Sequence, residues 1–244
     1  MKFSSEIDVH LIDSMGNDDS VIRAMLVSTN GGALSLEDDF LAEVESEKYQ
    51  NSKNGRINFL MKNRHGSPFE HNAFTFYVKA PIFVFREWHR HRIGFSYNEE
   101  SGRYTQLKPE FYIPAPDRNL VQVGKPGHYE FVPGTSDQYN EMRASHQTIC
   151  IKSYNEYEYL LSIGIAKEVA RMTLPVNIYS SMYVTLNTRS LMAFLSLRTI
   201  HEGSMFPSFP MREIAMAGEK LEAVLADKFP ITHEAFNKNG RVCP

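Results

Sequence analysis

The chain has 244 residues, of which 42% are hydrophobic and 12% aromatic, enough to fill the core of one compact domain spanning residues 1–244. Its 26 basic and 29 acidic side chains leave a formal net charge of −3, which excludes general nucleic-acid binding through bulk electrostatics and makes any arginine cluster a local anion pocket. The two cysteines, Cys150 and Cys243, are too few and too far apart for a disulfide framework or a CxxC site. No apolar run approaches the roughly 20 residues of a membrane span, and MKFSSEIDVHLID lacks the apolar core of a signal peptide, so the expected location is the cytoplasm.

In chain order, Ile7, Val9 and Leu11 alternate with Asp8 and His10 as a half-buried strand, and the turn chemistry of Met15–Ser20 leads into a short helix over VIRAMLVS. Ser35 and Asp38 form a capping box for a helix through Val44, and Gly55 to Arg64 carries Ile57, Leu60 and Met61 at helical spacing. Phe74, Phe76 and Val78 alternate as a strand. Ala80-Pro81 then opens a helix expected to carry Arg86 to Arg92, with Ile82, Phe85 and Trp88 or His89 on its buried face. FYIPAP reads as a strand, and Pro116 to Gly134, rich in proline and glycine, as a peripheral loop. Ser136 caps a long helix to about Ser162 with Met142, Ile149, Tyr154, Tyr157 and Leu161 inward and Gly164 as terminator. Arg171 sits in a short helix ended by Pro175, VNIYSSMYVTLN is strand-like, and Asn187 or Thr188 caps TRSLMAFLSLR, whose Leu191, Phe194 and Leu195 form a buried stripe. A final helix begins at Pro210 and runs to Pro230.

The densest chemistry lies in Arg86–Tyr104, REWHRHRIGFSYNEESGRY, with four arginines, two histidines and three carboxylates in nineteen residues. Arginine forks suit phosphate and carboxylate oxygens, and Ser96, Asn98 and Ser101 offer short donors and acceptors suited to a ribose or base edge, so one reading is a nucleotide site. The other is a helix end whose cations complement the dipole. His89-x-His91 is not expected to hold a metal, because helical ligands need a spacing of three or four and the adjacent arginines repel a cation.

Motifs separate these readings. RHR followed by S-Y-N-E-x-S-G-R-Y, the segment RHGSPFEH at Arg64–His71, the pair A-R-x-x-L-P and N-x-R-S-L-x-x-F-L-x-L-R at residues 170–198, and GNDxS near Ser28 resemble the motifs of the flavin-dependent thymidylate synthases, the ThyX family. Two departures stand out. Eight residues, not the family's seven, separate Arg92 from Ser101, the extra one lying among Ile93, Gly94 and Phe95; and Ala193 stands where relatives often carry Asn or His toward the flavin.

The resemblance implies an α+β fold with a central, mostly antiparallel sheet flanked by long helices, assembled as a homotetramer whose sites are shared between subunits. It implies reductive methylation of dUMP to dTMP with methylenetetrahydrofolate as carbon donor, NADPH as reductant and FAD as hydride carrier. By motif position dUMP falls to Glu87, Trp88, His89, Arg90, Glu99, Glu100, Ser101, Gly102, Arg103, Arg171 and Arg198. FAD falls to His65, Ser67, Arg90, His91, Arg92, Glu99, Asn187, Thr188 and Arg189, with Ser28 a weaker candidate. Arg198 is the expected catalytic residue, an electrostatic stabiliser of the charge that builds on the uracil. Neither cysteine sits in the electropositive setting that a thiolate nucleophile needs. The alternative is a non-catalytic nucleotide or single-stranded nucleic-acid binder that stacks bases on Trp88, Phe95, Tyr97 and Tyr104.

Overall fold

The computed structural model describes residues 1–28, 47–125 and 128–244, with side chains described outside 47–51 and 128–129. The helix expected from Ser35 to Val44 lies outside the described residues. The architecture is mixed α+β, and the chain divides into two compact units. One comprises Met1–Glu6, Lys79–Arg86 and Glu99–Ser181, the other Ile7–Val78, Glu87–Asn98 and Met182–Pro244.

In the first unit, β1 (Lys2–Ser4) pairs in parallel with β5 (Glu110–Tyr112). Glu110 fixes this edge by accepting from Lys2 and Lys79 at 2.8 and 2.7 Å. Helix α4 (Ser136–Ser162) packs Cys150, Tyr154 and Tyr157 into a core with Leu107, Phe111 and Ile178. Its cap is Thr135, one residue before the expected Ser136: the Thr135 hydroxyl accepts from Gln138 N at 3.2 Å while Gln138 Oε1 accepts from Thr135 N at 2.8 Å, a reciprocal box. Ile149, expected inside, is 54% exposed, because Cys150 takes the inward position. Gly164 ends the helix at φ +88°, as expected. The stretch expected as a loop instead forms a hairpin, β6 (Val121–Lys125) antiparallel to β7 (His128–Val132). The alternation in VQV and YEFV carried that signal beneath the surrounding prolines and glycines. Helix α5 (Lys167–Ala170) runs into a 3-10 turn at Arg171–Thr173.

A four-stranded sheet, most of whose residues fall in the second unit, has the order β2 (Asp8–Met15), β3 (Ala73–Pro81), β8 (Tyr179–Leu186), β4 (Phe95–Glu99). Pro81 is the last residue of β3, and α3 (Ile82–Trp88) follows it in the chain, its residues up to Arg86 counted in the first unit. Phe74 lies 5.9 Å from Phe76 and 5.3 Å from Phe229, ring centre to ring centre, and Trp88 rests on Phe194 at 4.9 Å. Helix α1 (Asp18–Val27) is capped by Asn17, and α2 (Glu47–Lys62) begins well before the expected Gly55, which it accommodates in its interior. Helix α6 (Thr188–Arg198) is capped by the Asn187 side chain, which accepts from Ser190 N at 2.8 Å, and it buries Leu191, Phe194 and Leu195 completely.

The expected last helix is α7 (Arg212–Lys228), but Pro230 does not end the fold. It starts α8 (Pro230–Lys238), where a proline in the first turn has no donor to lose. The cap of α8 comes from far away in sequence: the Asp18 carboxylate accepts from Ile231 N, Thr232 N and the Thr232 hydroxyl at 2.9, 3.0 and 2.6 Å. Among the described residues no helix is long and apolar enough to cross a membrane.

Because Asp18 is buried and satisfies two helix-end amides, Asp18→Ala is expected to lower the unfolding free energy by about 1–3 kcal/mol. Urea unfolding followed by circular dichroism measures this, and an unchanged midpoint would show that the cap contributes nothing.

Candidate active site

In the second unit the arginine-rich motif is not helical throughout. Helix α3 stops at Trp88, where the Trp88 carbonyl accepts from His91 N at 2.9 Å, a tight turn in place of a further helical turn. The Tyr97 hydroxyl holds that turn, lying 3.2 Å from the Trp88 carbonyl and 2.5 Å from that of His91. Among Ile93, Gly94 and Phe95, Gly94 has a φ of +71°; a Cβ there would stand 2.1 Å from Ser190 Oγ, the atom that donates to the Ile93 carbonyl at 2.9 Å. Arg90 and Arg92 project from this loop exposed.

Arg198, at the end of α6, is gripped from two sides. Its Nη1 donates to Glu87 Oε2 at 2.8 Å, its Nη2 to the Glu87 carbonyl at 3.3 Å, and its Nε to His91 Nε2 at 3.0 Å. A neutral His91 is required, since an imidazolium has no acceptor to offer. Burial, then the Arg198 charge beside it, holds the His91 pKa down at about 4. The ring sits against Phe194 at 4.7 Å and Phe95 at 5.8 Å. The structure thus gives His91, assigned to the flavin by motif, a partner in Arg198. Three of the five guanidinium N–H groups are engaged, and one on each terminal nitrogen remains for a ligand on a side chain still 15% exposed.

Of the flavin candidates, Asn187, Thr188 and Arg189 stand at the start of α6 with Gly66 of the His65–Ser67 segment against Arg189, whereas His91 meets Arg198 at the other end of the helix and Glu99 lines a cavity of the first unit. Thr188 donates from N and Oγ1 to Asn72 Oδ1 at 2.7 and 2.6 Å, tying the RHGSPFEH segment to the helix. Gly66 approaches Arg189 so closely that a Cβ would lie 2.6 Å from its Cζ. Arg189 donates to Glu70 at 2.5 Å and to the Pro244 carbonyl at 2.7 Å, contacts that no motif signalled. His65 and Ser67 are exposed beside them, His65 edge-on to Phe59, and Ser28 is exposed with its hydroxyl donating to Met25 O.

The Trp88 ring is completely buried, its indole N–H without a partner among the described residues, and the Thr188 hydroxyl donates to Asn72. The buried Trp88 offers no stacking surface, Tyr97 is half-buried with His89 edge-on at 4.9 Å, and Tyr104, 74% exposed, carries the Arg103 guanidinium over its ring at 5.8 Å.

In the first unit, Glu99, Glu100, Gly102 and Arg171 share the wall of a cavity of about 230 Å³ whose floor is Ile82, Leu107, Leu174 and Ile178. Gly102 permits the close approach: a Cβ would lie 3.3 Å from Arg171 Cδ. Glu100 is fixed by Ser181, whose hydroxyl donates to it at 3.3 Å and whose carbonyl accepts from its N at 2.8 Å. Ser101 O accepts from Tyr104 N and Thr105 N, closing a turn, and Arg103 pairs with Glu168 at 2.9 Å. A cation, two carboxylates and an apolar floor suit a nucleotide fragment. Ser180, which also lines this cavity, is 3% exposed and its hydroxyl has no partner among the described residues; nothing in the motifs pointed to it.

Because the unfolded chain takes up a proton on His91 near pH 6.5 and the folded chain only near pH 4, the stability present above pH 6.5 is lost as pH falls through that window. His91→Gln is expected to flatten the pH dependence of the urea midpoint between pH 6.5 and 4.5. An unaltered slope would mean that His91 is not held neutral.

The family model described as "Thymidylate synthase complementing protein" matches residues 10–231. Flavin-dependent thymidylate synthases of Streptomyces coelicolor and Tropheryma whipplei are 52% and 49% identical, over 100% and 99% of this chain and 96% and 97% of theirs. Crystal structures of the UMP/dUMP methylase PolB from Streptomyces cacaoi, bound with 5-Br UMP and with 5-Br dUMP, superpose with a TM-score of 0.89 at 43% and 44% identity, covering all of this chain and 99% and 100% of that one. With its motifs in place along a match of this length, the chain belongs to the flavin-dependent thymidylate synthase family.

Proposed function

We propose that the protein converts dUMP to dTMP by reductive methylation, with methylenetetrahydrofolate as carbon donor, NADPH as reductant and FAD as cofactor. The observation that carries this reading is the guanidinium of Arg198, braced by Glu87 and a neutral His91 with donors to spare. As carbon-5 of the uracil becomes nucleophilic, negative charge grows on oxygen-4 and nitrogen-3. A preorganised cation beside those atoms stabilises that charge without reorganising, and arginine remains protonated throughout.

The chain's cysteines offer no competing route. Burial pushes the thiols of Cys150 and Cys243 up from their ordinary values, so neither supplies a thiolate at neutral pH for attack on the ring. The free thiols, Cys150 buried, also suit the reducing cytoplasm in which we place the protein.

The residues present fit FAD. The exposed forks of Arg90 and Arg92 match a pyrophosphate, and Asn187 lies at the start of α6. His65 and Ser67 complete the set, and His91 keeps only its Nδ1–H for it. When bound, the flavin supplies hydride transfer. Glu99, Glu100, Ser101, Gly102, Arg103 and Arg171, with Glu87, His89 and Arg90, hold the nucleotide. We further propose that 1–244 is one catalytic domain, since each unit is assembled from three separated segments, and that it works as a homotetramer with motif residues from different subunits in each site.

Arg198→Lys keeps the charge and loses the planar fork. dUMP is expected still to bind while dTMP formation falls by roughly two to three orders of magnitude. NADPH oxidation by the bound flavin is expected to fall much less. Formation of dTMP at the unaltered rate, or equal loss of both steps, would remove Arg198 from the activating role. Ser101 has no base beside it and acts as a ligand, so Ser101→Ala is expected to retain measurable turnover with raised KM for dUMP; a trapped covalent adduct at Ser101 would contradict this. Purified protein loaded with FAD should be yellow and should bleach with NADPH under anaerobic conditions, which a simple binding module would not do.

A further inference from the structure

Thr199, the residue directly after Arg198, caps the C-terminal end of α6 and is buried. Its hydroxyl donates to the Leu195 carbonyl at 2.7 Å and accepts from Arg241 Nη2 at 2.7 Å. Arg241 is the most deeply buried charged residue among the described residues of this unit, its side chain 1% exposed. Its guanidinium donates to both oxygens of Glu222, at 2.6 and 2.8 Å, and to Asn237 Oδ1 at 2.6 Å, and it lies over the Phe236 ring at 4.9 Å. Its backbone is held at φ +55°, a region a non-glycine residue rarely adopts. Glu222 is further tied to His233 at 2.9 Å. On the neighbouring helix α7, Gly218 comes so close that a Cβ would stand 2.8 Å from Thr199 Cγ2 and 3.1 Å from the Arg198 carbonyl.

Fold stability does not account for such a network. A buried ion pair loses much of its Coulomb gain to desolvation, and apolar residues of similar volume often serve as well or better. What distinguishes this pair is its address, one residue from the arginine whose placement matters most. We propose that Arg241, held by Glu222, is a positioning residue that fixes the last turn of α6 through Thr199 and so sets the angle at which Arg198 meets the uracil. This rests on the activating role of Arg198 proposed above.

The test uses the full-length, FAD-loaded protein and compares Thr199→Val, Arg241→Met, the double variant Arg241→Met/Glu222→Met, and Arg198→Lys. Single-turnover dTMP formation, dUMP affinity, flavin reduction by NADPH and the thermal midpoint are measured for each. Thr199→Val keeps the shape and removes the hydroxyl. It is expected to slow dTMP formation by about 10- to 100-fold, the scale of a small misplacement of a catalytic group, with dUMP affinity and flavin reduction within about threefold of the parent. Arg241→Met leaves Glu222 buried and unpaired and is expected to lower the midpoint; the double variant is expected to restore the midpoint and leave dTMP formation slow. Recovery of turnover together with the midpoint in the double variant, or normal turnover in Thr199→Val, would make the network purely structural and overturn the proposal. If the arginine variant does not fold, Thr199→Val decides alone. Normal turnover in Arg198→Lys would overturn the activation reading and this inference with it, whereas loss there beside full turnover in the network variants would overturn positioning alone.

Discussion

The site depends on keeping one imidazole uncharged next to a guanidinium. Were His91 protonated it would offer Arg198 Nε no acceptor and would repel it, and the brace would fall back on Glu87 alone. What prevents protonation is burial first, and that burial is done by rings: Phe194 and Phe95 face His91, and Phe194 in turn carries Trp88. The hydrophobic stripe of α6 therefore does two things with one side chain. Phe194 packs the core, and it makes the surroundings of His91 apolar enough to keep the imidazole neutral, so that its Nε2 can accept from Arg198 Nε and fix both the tautomer and the guanidinium.

Elements governed by local chemistry were legible in the sequence. The stripe of Leu191, Phe194 and Leu195, the Asn187 cap and the Gly164 stop follow from periodicity and short-range hydrogen bonding, and they stand where those rules place them. Gly94 is the same kind of case, a glycine where the loop turns left-handed. Elements governed by distant partners were not legible. Helix α3 ends at Trp88, where the Trp88 carbonyl accepts from His91 N and the Tyr97 hydroxyl of the next strand lies against the His91 carbonyl, a partner that no local rule supplies. Pro230 looked like a stop since nothing nearby caps a helix after it, whereas Asp18, 213 positions before Ile231, supplies the cap. The site shows the same divide. Motifs named the arginines, but that Arg198 answers to His91, and Arg189 to Glu70 and Pro244, depends on contacts no spacing rule contains.

The acidic residues beside these arginines suit the proposed anion site. A lone arginine on a flexible stem loses side-chain entropy when it binds, and a carboxylate that holds it beforehand removes part of that loss at the cost of some positive potential. Glu87 does this for Arg198, and Glu70 for Arg189, while Glu99 and Glu100 stand in the same cavity wall as Arg171. The net charge of −3 is thus compatible with strongly basic local chemistry.

Two of the arginine–glutamate pairs of the second unit, Arg241–Glu222 and Arg198–Glu87, show how the same chemistry is divided between holding and acting. Arg241 engages both oxygens of Glu222 and is closed to solvent, so its position is overdetermined and it has little left to offer a ligand. Arg198 takes only one oxygen of Glu87, on a carboxylate 39% exposed, and fills its third contact with a neutral nitrogen. A bidentate partner would have closed the fork that the proposed uracil contact uses, and a charged third partner would have altered the field there. A single carboxylate oxygen and an uncharged imidazole fix the guanidinium while leaving both its charge and two of its donors available.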